Sequence, residues 1–195
     1  WMLFNDGEVH RRLRAPVGRA FTPRRIEHLR ARCTDLADEL LAPDGEGDVV
    51  DLHDRLFSPL PALMIGELLG VDRADAVALQ AWSDQLGLFV LGAARDDQAD
   101  VAAEATAELI GYFESLVARR RRQPGEDLIS ALVDAERRGE LAPEEVVGSA
   151  TLLLFAGHET TTNALSNSLI ALLGNPAEME RLRRGKKRTD PPRVI

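Results

Sequence analysis

The chain has 195 residues, 45% of them apolar, enough to bury one core and form one domain. Its 32 acidic residues outnumber its 24 Lys and Arg, for a formal charge of −8; this excludes a general nucleic-acid binder, because phosphate contacts need a cationic excess. No apolar run approaches the roughly 20 residues that cross a bilayer, and residues 1–10 lack the layout of a signal peptide, so the reading is no nucleic acid, no membrane and a cytoplasmic location.

In chain order, Ile26, Leu29, Cys33, Leu36 and Leu40 fall three and four apart, which predicts an amphipathic helix over 24–41 with Pro23 as its start signal. Pro43-Asp44-Gly45-Glu46-Gly47 breaks the pattern, and Asp48–Leu52 alternates as a short strand does. A compact buried helix follows Pro59 or Pro61 and ends at Gly70. Further helices are predicted over 74–91 and 99–122, the latter closing on Arg119–Arg122, whose charge complements the helix dipole. A short helix covers 127–138 and stops at Gly139. Pro143-Glu144-Glu145 then opens a helix that runs to about Leu173, although Ala142 is a poor cap. At 1.5 Å per residue it is about 45 Å long, and from Leu152 to Ala156 it is apolar on nearly every side, as buried helices are.

Polar residues interrupt that apolar stretch at Gly157-His158-Glu159-Thr160-Thr161-Thr162. A polar cluster at the centre of a buried helix is costly without a purpose. Gly157 costs about 1 kcal/mol relative to alanine, and the Thr160 hydroxyl can reach back to the Ala156 carbonyl, so the helix is expected to loosen into a small groove lined by an alcohol. Glu159 beside it is a candidate proton carrier. The plainer alternative has the threonines back-bonded and Glu159 paired with an arginine. His158-Glu159 also begins a zinc-protease pattern, but Thr162 stands where the second histidine belongs, so no protein metal-ligand set is read. Cys33, the only cysteine, excludes an internal disulfide and lies in the apolar stripe of its helix.

The segment Ala156-Gly157-His158-Glu159-Thr160-Thr161 resembles the oxygen-binding motif of the cytochrome P450 family, and His10-Arg11-Arg12-Leu13-Arg14 resembles the family's early haem-propionate helix. The resemblance extends through Leu60–Val71 and Pro124–Val133 and covers residues 1 to about 182. It implies a mainly α protein, a partial P450 fold with the central helix at about 143–173 and little β structure. It also implies haem as cofactor, with His10 and Arg14 on its propionates, a spacing of four that shares one helical face. By the same resemblance Thr160 steadies oxygen, Glu159 delivers protons, Ala156 and Gly157 border the cofactor, and Leu152 and Phe155 border the substrate. The implied partners are dioxygen, a small apolar organic substrate, and a ferredoxin or flavoprotein electron donor.

Members of the family continue into a Glu-x-x-Arg helix and a glycine-rich loop carrying the cysteine that ligates iron. Glu178–Arg181 and Glu27–Arg30 fit only the spacing, and Cys33 lacks the flanking glycines. The expectation is therefore a partial domain over 1–182, without its thiolate and without activity by itself, then a basic tail at 183–195 that holds the only lysines, Lys186 and Lys187, and is either disordered or non-native. Two other readings stand beside it: a non-catalytic helical remnant serving interaction, and a ligand-binding helical transcription regulator. The second is opposed by Pro16, Gly18 and Pro23, which interrupt the basic segment where a helix-turn-helix would lie.

Overall fold

A computed structural model describes residues 1–42, 49–90 and 99–184. Eight α-helices lie in these residues: α1 (Gly7–Ala20), α2 (Pro23–Leu40), α3 (Pro59–Leu69), α4 (Ala76–Val90), α5 (Ala99–Arg122), α6 (Leu128–Arg137), α7 (Pro143–Leu173) and α8 (Pro176–Arg184). The loop expected at Pro43–Gly47, Asp48, Leu91 and the tail from Gly185 lie outside them.

Local chemistry sets the helix ends. Thr22 caps α2 by accepting the Arg25 N–H at 3.2 Å, with Pro23 in the first turn. Asp127 caps α6 through the Ser130 N–H at 2.8 Å. Ala142 offers α7 no side-chain acceptor, and Glu145 compensates by reaching back to the Ala142 N–H at 2.8 Å. Gly70, at φ 78°, ends α3.

The core is built where α3, α5, α6 and the first half of α7 meet, around Leu69, Leu109, Phe113, Val117, Ile129, Leu132 and Val146, all fully buried. α4 packs along α5 and against α7. α7 is buried at Val146, Ser149–Leu152, Leu154, Phe155, His158 and Thr162, and its last turns emerge, leaving Ile170 68% and Leu173 67% exposed.

Three expectations need correction. Among the described residues no strand forms at Asp48–Leu52: Val49 and Val50 are exposed and have no partner strand, while the Asp51 carboxylate accepts the amides of His53 and Asp54 at 2.8 and 3.4 Å and starts a π-helical turn, His53–Phe57. The α2 stripe is only lightly covered, with Leu36 buried and Ile26 46% exposed. Pro16 and Gly18 do not interrupt their segment, because Leu13, Pro16, Val17 and Ala20 form one buried stripe on α1 and that packing carries the helix through both.

Arg119–Arg122 make no anion site. Arg119 pairs with Asp72, Arg121 with Glu136, and Arg120 bridges the Asp127 carboxylate and the Gly70 carbonyl. Among the described residues no helix is long and apolar enough to cross a membrane.

Candidate active site

α7 presents its polar centre in two directions. The Thr160 hydroxyl donates to the Ala156 carbonyl at 2.6 Å, four residues back, and both residues are exposed. A stripe one turn long, small at one end and alcoholic at the other, is thus open on this flank. The helix is continuous through it, so the hydroxyl's back-bond does not break the ladder.

Gly157 faces the other way, toward α3. A Cβ there would stand 3.0 Å from both Cδ1 and Cγ1 of Ile65, so the glycine permits close approach of two helices. Leu152 and Phe155 are buried, and the Phe155 ring stacks on Trp1 with centroids 6.4 Å apart. Glu159 is half-buried and extends toward α4, where its Oε2 lies 2.7 Å from the position a Cβ on Gly87 would take. No arginine pairs with it among the described residues.

His158 is 3% exposed, and neither ring nitrogen makes a hydrogen bond. Its Nδ1 lies 3.5 Å from the Asp84 Oδ1, close enough for charge to be felt but short of hydrogen-bond geometry. Burial holds the imidazole below its ordinary pKa, against the opposing pull of Asp84 and then Glu159. Burial likewise pushes the Asp84 carboxyl up, and His158 opposes it.

α1 is fixed to the start of α7 by Arg12, which grips both Glu145 oxygens at 2.7 and 2.6 Å. Arg19 pairs with Glu140 on the same side. His10 and Arg14 lie roughly half a turn around α1 from Arg12, and among the described residues neither side chain has a hydrogen-bond or ion-pair partner. No hydrogen bond or ion pair joins them to Ala156 or Thr160 either. The structure therefore brings Glu159, Phe155 and Gly87 together and leaves His10 and Arg14 as a separate edge on α1. A cavity of about 780 Å³ between Trp1, Leu13, Ile110, Val117 and Val147 opens on yet another flank, and none of the candidate residues lines it.

Cys33 is half-buried within α2, in the stripe it shares with Leu29 and Leu36. Glu178–Arg181 and Glu27–Arg30 are exposed pairs three residues apart on α8 and α2. Asp84, Gly87 and the burial of His158 were not legible as site features; the one signal was a glycine inside the apolar run Leu86-Gly87-Leu88, where helix propensity disfavours it.

Among the described residues the assembly is all helical, and its long helix carries an alcohol and an acid near its centre. The family model for cytochrome P450 matches residues 88–189, just over half the chain. The chain is 44% identical over 189 residues to the cytochrome P450 monooxygenase PikC of Streptomyces venezuelae, covering 93% of this chain and 43% of that protein. It superimposes on CalO2 with a TM-score of 0.88 at 35% identity, covering 94% of this chain and 46% of that one. For P450BioI, solved with hexadec-9Z-enoic acid on an acyl carrier protein, the TM-score is 0.87 at 30% identity, over 94% and 48% of the two chains. This chain belongs to the cytochrome P450 family. It spans less than half the length of these relatives.

Proposed function

We propose that the chain supplies the distal side of a haem-dependent monooxygenase site that oxidises a small apolar organic substrate with dioxygen. The observation that carries this reading is the Thr160–Ala156 hydrogen bond on an open stripe of α7, with the Glu159 carboxylate one residue away.

The residues present fit one side of a haem. Ala156 and Thr160 offer a low, uncovered surface on which a flat group can lie, and the His10 imidazole and Arg14 guanidinium are donors left without protein partners, as carboxylate ligands require. When bound, haem supplies the reductive activation of dioxygen, using electrons from a ferredoxin or flavoprotein. The protein's own part follows from side-chain chemistry. The Thr160 Oγ1 remains able to accept a hydrogen bond, and Glu159 can carry a proton to the same flank. Phe155 and Leu152 give the neighbouring wall its apolar character, which suits an apolar group such as the acyl chain in the P450BioI complex. A cytoplasmic location accords with this chemistry.

Cys33 is half-buried within α2 and has no flanking glycine loop, so on this reading the 195 residues by themselves are expected to bind haem weakly and not to turn over. Haem titration followed by reduction under carbon monoxide tests both statements. Weak binding without a thiolate-type Soret band is expected; a thiolate-type band would contradict the assignment of Cys33 and the claim of inactivity.

A further inference from the structure

α4 contributes more to this site than packing. Two consecutive residues of α7 meet two residues of α4 that lie one turn apart: His158 meets Asp84 at 3.5 Å, and Glu159 meets Gly87. Gly87 is buried in the interior of α4, where a glycine weakens the helix relative to alanine. The space its missing side chain leaves is used. A Cβ at residue 87 would stand 2.7 Å from Glu159 Oε2, 3.6 Å from Glu159 Cδ and 3.1 Å from Phe155 Cε2.

We infer that Gly87 is a positioning residue for Glu159: the bare stretch of α4 is a seat that holds the Glu159 carboxylate against its helix and keeps the Phe155 ring beside it. This rests on the reading of Glu159 as the proton carrier given above. The nature of the collision separates a seat from ordinary helix packing. At Gly157 a methyl would meet three successive carbons of the packed Ile65 side chain, Cδ1, Cγ1 and Cβ, whereas at Gly87 the nearest atom is the free end of a flexible carboxylate. Gly87→Ala is therefore expected to displace the Glu159 carboxylate, which can swing away, while the Phe155 ring has to give by only a few tenths of an ångström. The charged groups around the seat are Asp84 from α4 and His158 and Glu159 from α7, while α3 presents Ile65.

The test is a double-mutant cycle on the full chain with Gly87→Ala and Glu159→Ala, read by the His158 imidazole titration and, where Glu159 is present, by its ¹³C-labelled carboxyl. Gly87→Ala is expected to melt like the parent, to change the ¹³C chemical shift of the Glu159 carboxyl, and to move the His158 midpoint only while Glu159 is present. An unchanged carboxyl shift and His158 midpoint in a folded Gly87→Ala chain would overturn the inference. So would a His158 shift of equal size with and without Glu159. If Gly87→Ala fails to fold, rescue by Glu159→Ala supports the seat, and failure of the double variant refutes it. None of these readouts involves haem or turnover, so a failed monooxygenase reading would leave the seat standing, and a failed seat would leave that reading untouched.

Discussion

Arg12 and Glu145 join α1 to the first turn of α7 through two parallel hydrogen bonds, at 2.7 and 2.6 Å, between residues 133 positions apart in the chain. The same Glu145 carboxylate accepts the Ala142 N–H, so one acid both docks α1 and caps the helix that carries the site. The Arg12 guanidinium, then the Ala142 amide, hold the Glu145 carboxyl down to about 2 in spite of its partial burial.

A depressed carboxyl pKa stabilises the fold above its unfolded value of about 4.3, and that contribution is lost as pH falls toward about 2. Urea midpoints measured from pH 5 to pH 2.5 are expected to fall more steeply in the parent than in Glu145→Gln. Equal slopes would show that the pair does not act. Glu145→Ala also removes the cap and should destabilise by about 1 kcal/mol at neutral pH.

The buried imidazole titrates in a different window. Because the folded-state pKa of His158 is lowered, the unfolded chain takes up a proton first, so stability is full above about pH 6.5 and declines below it. His158→Phe should flatten the decline between pH 7 and pH 5.5 while the fold is retained, since neither ring nitrogen has a hydrogen bond to lose. A decline that persists unchanged in the variant would assign it to another group.

Gly157→Ala sets helix propensity against packing. The methyl adds about 1 kcal/mol of intrinsic helix stability, but it stands 3.0 Å from Ile65 at two atoms, and overpacking of that kind costs about 1–3 kcal/mol. A net loss is expected, partly relieved by Ile65→Val, which removes Cδ1 and leaves Cγ1 and Cβ. Chemical denaturation of the two single variants and the double variant reads this directly, and additive losses would show that the two sites are not in contact.

Most of the helices were legible because apolar spacing and punctuation agree. The long helix over 143–173 and the helix over 99–122 have the boundaries read from Pro143, Gly174, Ala99 and Arg122. The strand at Asp48–Leu52 was misread because alternation over a few residues is weak, and the Asp51 side chain supplies a helical cap that the pattern does not weigh. In the site, the Thr160 back-bond follows from residue type and spacing alone. The Asp84–His158 and Gly87–Glu159 relationships do not, because each depends on which face of α4 lies against α7, and only tertiary packing decides that.

Asp127 is the structural residue whose loss should be felt most. It caps α6 and holds Arg120, and the side chains of this pair are only 9% and 18% exposed. Asp127→Ala would leave a largely buried guanidinium unpaired as well as removing the cap, a loss of about 3 kcal/mol or more. A shift in the thermal midpoint no larger than that of an exposed control such as Asp134→Ala would contradict this.

On the proposed reading, the open stripe of α7 and the α1 pair His10 and Arg14 take up one flat, dianionic ligand. Titration of ¹⁵N-labelled chain with zinc protoporphyrin, followed by NMR, tests it. The amides of Ala156 and Thr160 and the side chains of His10 and Arg14 should shift together, and esterifying both propionates should abolish the response of the α1 pair. Shifts confined to the cavity beside Trp1 and Leu13, or a response indifferent to esterification, would contradict the account.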